Sequence, residues 1–224
     1  MASFVNAAFC AIVATAFWSL LGYAIGRHLL PRGLVIGVAP VLGWAVHSAA
    51  ALPVFTLIGF SSISVPGVSV LCVAAAGASL AIRVSKPEGE DTRSVPVWVY
   101  AAAALLALAP AAAIVPKFGG DGVHLADPIF DHSKIAIIDA MARLGLPPVN
   151  PVFAKAGGPG HLAYYYLWHF SAAELALPLR ASGWEADIGL TWFTAFASLA
   201  LMMALAVWLG KDARAAILVV VLAA

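Results

Sequence analysis

The sequence predicts an all-α fold: a polytopic helical membrane protein with an external loop that contains an interfacial amphipathic helix. Three observations lead there. Hydrophobic residues fill 63% of the 224 positions and Asp, Glu, Lys and Arg only 10%, against about 25% charged residues in an ordinary soluble domain. Mean hydropathy is +0.97. The apolar residues also gather into stretches of the length, roughly 20 residues, that a helix needs to cross a bilayer.

Six stretches have that length: residues 4–26, 34–60, 66–82, 97–115, 162–179 and 188–209. A seventh starts near Ala215 and has about ten residues, which predicts that the chain is the N-terminal part of a longer protein. The first stretch has no Lys or Arg before its apolar run, so it reads as a retained span and not a cleaved signal. The second carries Pro40 and Pro53 and reads either as one tilted, kinked helix or as a re-entrant pair. The segment KPEGEDTRS, residues 86–94, is a polar turn with nearly cancelling charges. Cys10 and Cys72 lie in apolar stretches and read as small hydrophobes, too few for a disulfide framework or a zinc site.

Direction follows from the cations of the short loops. Arg27, Arg32, Arg83, Lys86, Arg93 and Arg180 fall on one side of a simply alternating chain, and that side is predicted to be cytoplasmic. The N-terminus and the loop 116–161 are then outside, with the chain multi-pass in the plasma or bacterial inner membrane. Lys211 and Arg214 run against the bias. A net charge of +1 with no aromatic-interleaved basic cluster excludes a nucleic-acid partner. The sequence divides at residue 96/97: three N-terminal spans and a cytoplasmic loop (1–96), then a membrane core bearing the external loop (97–224).

The loop 116–161 holds the polar chemistry, and its length exceeds that of a plain connector. Residues 132–145 read as a short helix. Ile135, Ile138 and Ala142 share one face, Ile137, Met141 and Leu144 lie beside it, and Gly145 with Pro147 and Pro148 ends it. Such a helix is predicted to lie flat in the interface. Lys134 and Asp139 sit off the apolar stripe, with Arg143 four residues after Asp139. Asp131 stands at the helix start, where it serves as an N-cap or as a carboxylate aimed at a substrate; Ser133 competes for the cap. Asp127 and Asp131 are four apart, and two close carboxylates raise one pKa or attract a divalent cation. Asp121 and His124, in GGDGVH, and His132 add polar ligands on a pliable backbone. Asn150 precedes Pro151 as a turn former, and Tyr164, Tyr165 and Tyr166 enter the next stretch as an interfacial aromatic belt, followed by Trp168 and His169. Glu174 and His47 are ionisable residues inside apolar stretches, which marks them as functional candidates.

This order of features (a span, an outer loop with Asp131-His132, an amphipathic helix, GLPPVNP, a Gly-rich stretch, and YYYLWHF opening the next span) resembles the type C fold polytopic membrane glycosyltransferases. Protein mannosyltransferases and lipid A aminoarabinose transferases belong to that superfamily. The resemblance covers about residues 97–209. It implies transfer of a sugar from a polyprenyl-phosphate donor to an acceptor hydroxyl, with an essential acid on the first large external loop. The matching residue is Asp131, with Asp127 next to it in rank. The resemblance further implies that Asp131 acts as general base, that His132 or His124 meets the leaving phosphate, that Lys134 or Lys155 neutralises it, and that Tyr164, Tyr165 or Tyr166 holds the lipid phosphate or sugar. Two departures stand out: Asp-His replaces the acidic pair common in the family, and the loop follows the fourth span instead of the first. Two other classes fit the composition: a transporter or flippase-like protein, in which Glu174 and His47 are the residues to test, and a non-catalytic membrane scaffold.

Overall fold

The computed structural model describes residues 4–84, 93–124, 128–155, 158–162 and 166–224. Four of its helices are long and apolar enough to cross a membrane: α1 (Phe4–Leu29), α2 (Arg32–Ile58), α3 (Ser64–Ala81) and α8 (Gly183–Gly210). The protein is therefore a polytopic helical membrane protein. Five shorter helices complete the set: α4 (Val97–Leu106), α5 (Leu108–Ala113), α6 (Pro128–Leu144), α7 (Leu167–Leu179) and α9 (Ala215–Ala223). Two antiparallel ribbons, β1 (Lys117–Gly119) with β2 (Gly122–His124) and β3 (Val149–Lys155) with β4 (Gly158–His161), add strand to a loop expected to hold only helix and turns.

The second span resolves its two alternatives, and the fourth and fifth differ from expectation, each for a local reason. The second is one continuous helix of 27 residues through Pro40 and Pro53, which removes the re-entrant alternative; within a membrane a proline's freed carbonyl can be satisfied by neighbouring groups. It stops where Gly59 takes φ +89° and donates its N–H to the Phe55 carbonyl, a glycine helix end. The fourth is short, Val97–Ala113, and is interrupted rather than broken at Ala107, which keeps helical φ and ψ and donates its N–H to the Ala103 carbonyl at 2.9 Å, while Pro110 brings no N–H and crowds the carbonyl four residues back. The fifth, expected over 162–179, is a helix of only 13 residues. At 1.5 Å per residue it is about 20 Å long, well short of the roughly 30 Å hydrocarbon layer. Its stretch from His169 to Ala176 is buried, so protein surrounds it.

The chain forms two compact units. The first comprises Met1–Val13, Ser48–Ser69 and Ala111–Thr191. Its core joins Phe55, Phe60 and Phe170, whose ring centroids stand 5.4 to 6.0 Å apart, with Ile135, Ile137, Ile138 and Met141 of α6. Thus a helix, α6, occupies the expected segment but starts four residues earlier, and its apolar face is covered by α7 and β3, while Phe130 and Leu144 near its two ends remain exposed. The second unit comprises Ala14–His47, Val70–Pro110 and Trp192–Ala224. There α1 and α2 cross at Gly22 and Gly43, Trp18 packs fully buried against Phe193 at 4.8 Å between centroids, and Val99, Ala103, Met203, Val207 and Ala216 close a second cluster.

Candidate functional site

The polar residues of the first unit converge at the N-terminal end of α8. That helix opens on SGWEADIG, residues 182–189. The Ser182 hydroxyl accepts the Glu185 N–H at 3.3 Å and the Glu185 carboxylate accepts the Ser182 N–H at 2.7 Å, a reciprocal capping box. Two further groups engage the same turn. Asp139 of α6 accepts the Gly183 N–H at 3.0 Å, and Asn6 of α1 donates to Glu185 at 3.3 Å. Gly183 is required for the approach: a Cβ there would sit 2.8 Å from the Asp139 carboxylate oxygen. Four N–H groups at a helix start lack intrahelical partners, and carboxylates are favoured at that positive end.

One turn further in stands Asp187, with no exposed surface. Lys134 of α6 reaches both of its oxygens at 3.5 Å and keeps 30% of its side chain exposed. The same ammonium lies 5.7 Å above the Trp168 ring, within cation–π range. His169 follows on α7, buried; desolvation first and the nearby Lys134 charge second push its pKa down to about 4, so the imidazole is neutral at pH 7. His132 sits at the rim, exposed, with its ring edge-on to Trp184 at 6.4 Å. Together α6, α7 and α8 present one partly exposed cation beside a buried carboxylate and over the Trp168 indole. Such a group can take the charge of a phosphate or carboxylate without moving.

The remaining predicted residues distribute as follows. Asp131 lies inside the first turn of α6 and not at its N-cap, because the helix opens three residues earlier at Pro128; its side chain lies outside the description. Ser133 lies deeper still, so neither supplies the cap. Asp127, Tyr164 and Tyr165 lie outside the described residues. Tyr166 is half-buried just before α7, and its carbonyl accepts the Phe170 N–H at 2.7 Å. Asn150 is half-buried within β3. Glu174 is buried within α7. His47 belongs to the second unit, with its Nδ1 3.8 Å from the Cys72 sulfur and its ring T-shaped to Phe17 at 4.9 Å between centroids; Cys72 is therefore a polar contact as well as a small hydrophobe. Arg143 donates to the Asp139 backbone carbonyl at 3.2 Å, while the Asp139 carboxylate serves α8. Among the described residues, no group of three or more His, Cys, Asp or Glu is placed to hold a metal.

Asp121 and His124 pair across the β1–β2 turn at 2.9 Å, both exposed. The histidine hydrogen bond, then the residue's own backbone N–H, hold the Asp121 carboxyl below its usual range. A depressed carboxylate contributes order above its unfolded pKa and loses it as pH falls through the folded value. The Asp121 side-chain resonance is thus expected to titrate at lower pH in the native protein than in His124→Ala. Identical titration curves would show that the contact does not form in solution.

Neither Glu185 nor Asp187 is among the site residues expected from sequence. The S-x-x-E spacing just before an apolar run is the signal that finds Glu185. No local signal finds Asp187, whose partner is 53 residues away.

Fold and site thus define a multi-span membrane protein with a polar centre where the loop helix α6 meets α7 and the start of α8. The chain is 35% identical over 207 residues to the uncharacterized protein y4nK of Sinorhizobium fredii (strain NBRC 101917 / NGR234), an alignment that covers 92% of this chain and 31% of that protein. The chain thus spans about a third of the length of the curated relative it matches. No family model matches it, and no solved structure does.

Proposed function

We propose that the chain is part of a membrane glycosyltransferase that moves a sugar from a polyprenyl-phosphate donor to an acceptor hydroxyl on the external face. The observation that carries this reading is Lys134, a half-sheltered cation held by Asp187 and Trp168 one helical turn after Asp131. That pairing sets a phosphate-neutralising group close in sequence to a candidate base. In the reaction the acceptor oxygen bonds to the anomeric carbon, the bond from that carbon to the phosphate oxygen breaks, and the polyprenyl phosphate departs. Asp131 takes the acceptor proton, with Asp127 its neighbour in the loop. Lys134 offsets the charge that grows on the phosphate, and His132 or His124 donates to it. The exposed Phe130 and Leu144 support placing α6 at the bilayer surface with its ends in the acyl boundary. The cation bias supports an external N-terminus and loop.

The test is transfer by membranes that carry the chain in its full reading frame, given radiolabelled polyprenyl-phosphate sugars, beside Asp131→Asn. Removal of a general base is expected to cut turnover by about 10²–10⁴-fold at unchanged expression. Equal transfer by both proteins would sink the role of Asp131. No transfer by either, across a broad donor panel, would favour the transporter or scaffold classes.

A further inference from the structure

A second site, outside the loop and independent of the transfer reading, lies in the second unit. The end of α1, the start of α2 and the residue Val84 beyond α3 enclose a cavity of about 340 Å³ lined by Tyr23, Arg27, Arg32, Val35, Ile36 and Val84. That volume falls within the roughly 300–1,000 Å³ of sites that hold small molecules. Two guanidiniums and a phenol form its polar side; three aliphatic side chains form the other.

The geometry of Arg27 argues for a built site. Its two terminal nitrogens donate to the Leu80 and Ile82 carbonyls at 2.9 and 3.1 Å. Those bonds cap the open C-terminal end of α3 and use two of the five guanidinium donors. The side chain is thereby fixed before any ligand arrives, and a fixed fork loses less freedom on binding. Beside it, His28 meets the Ser79 hydroxyl at 3.0 Å, and that hydroxyl donates to the Ala24 carbonyl at 3.1 Å, so the α1–α3 wall is tied in two places. Arg32, the first residue of α2, supplies the second charge.

The place of the cavity selects the ligand. It sits where long apolar helices end, at the level where a lipid's polar head meets water. Leu29 and Ile36 beside it are exposed, at 72% and 57%, and offer apolar surface to acyl chains. A basic pocket between spans at this depth suits an anionic lipid head group. We propose that this cavity binds the phosphate-bearing head group of an anionic membrane lipid, Arg27 and Arg32 taking the phosphate, Tyr23 donating to it, and Val35, Ile36 and Val84 facing the glycerol and first methylenes.

Native mass spectrometry of the full chain in detergent tests this, with phosphatidylglycerol, phosphatidylcholine or inorganic phosphate added. Wild type is expected to retain one phosphatidylglycerol at concentrations where phosphatidylcholine is lost. Arg32→Gln should weaken that retention about fivefold or more, the worth of one cation near an anionic head group. Arg32→Lys should recover part of it, and the exposed Arg180→Gln should behave as wild type. Equal retention of both lipids, or of phosphatidylglycerol by wild type and Arg32→Gln, would overturn the site. Displacement of the lipid by millimolar inorganic phosphate would assign the cavity to a free anion and overturn the lipid assignment. Arg27→Lys gives a second variant that keeps the charge while losing the forked cap. It is expected to lower retention with the apparent melting temperature little changed.

Discussion

Gly43→Val is expected to prevent the α1–α2 crossing and with it the folding of the second unit. A Cβ at position 43 would lie 1.7 Å from the Trp18 carbonyl oxygen and 2.7 Å from the Gly22 nitrogen, and a Cβ at Gly22 would lie 1.9 Å from the Ala39 carbonyl oxygen. The obstructing atoms are backbone, so no rotamer relieves the overlap and the helices themselves must separate. In a membrane helix association depends on close packing, since lipid already solvates apolar side chains. Separation would also uncouple Trp18 from Phe193, both essentially fully buried. The loss should exceed the roughly 1–3 kcal/mol of ordinary overpacking, and it reads out as aggregated or protease-sensitive protein in detergent. Gly77→Val on α3 is the contrast: nothing lies within 4 Å of its Cβ, and a change within about 0.5 kcal/mol is expected there. Gly22→Val should resemble Gly43→Val, and the two together should cost no more than either, because both open the same crossing. A Gly43→Val protein that purifies and melts like wild type would contradict the crossing.

The same contact shows what the sequence makes legible. GYAIG, residues 22–26, has the G-x-x-x-G spacing of close helix pairs, yet the spacing does not say which glycine touches. In the structure Gly22 meets backbone, while Gly26 has ordinary side-chain neighbours from 3.4 Å. The long apolar helices α1, α2, α3 and α8 are readable because hydropathy over some 20 residues depends on composition alone. The helical reading of α7 from 162 fails because the same measure cannot tell a span from a short helix buried in protein. His169 and Glu174 are marks of that burial. The helix α6 is readable from its period of apolar residues. Its cover is not, because an apolar face accepts α7 as readily as lipid. The ribbon β1–β2 turns at Gly120 and Asp121, with Gly122 at φ +139°, and that glycine was available as a turn signal. Acid pairing is the least legible layer. Asp139 reads locally as a partner for Arg143, but its carboxylate serves a helix start 44 residues away, and no one-dimensional rule ranks the two.

Lys134→Met is expected to destabilise the first unit more than Asp187→Asn, although both break one ion pair. Asp187 has no exposed surface, so removing its cation leaves a buried carboxylate without its charge partner, a loss of about 3–5 kcal/mol in comparable pairs. Lys134 keeps 30% of its side chain exposed and lies over Trp168. When the aspartate is removed the ammonium can shift towards water, and a loss of about 1–3 kcal/mol follows from the unsatisfied polar groups. The double variant Lys134→Met/Asp187→Leu fills the same space with apolar atoms and removes both desolvation costs, so it should recover most of the stability. Chemical unfolding of wild type, Lys134→Met, Asp187→Leu and the double variant in detergent closes the cycle, and a coupling near zero would show that the pair is only a geometric neighbour. The cycle also bears on chemistry. If the cation exists for folding alone, the double variant regains whatever activity wild type has. If the cation serves a phosphate, the double variant stays inactive while stable, and Asp187→Asn, which keeps the ammonium but loosens its position, retains part of the turnover with a raised KM.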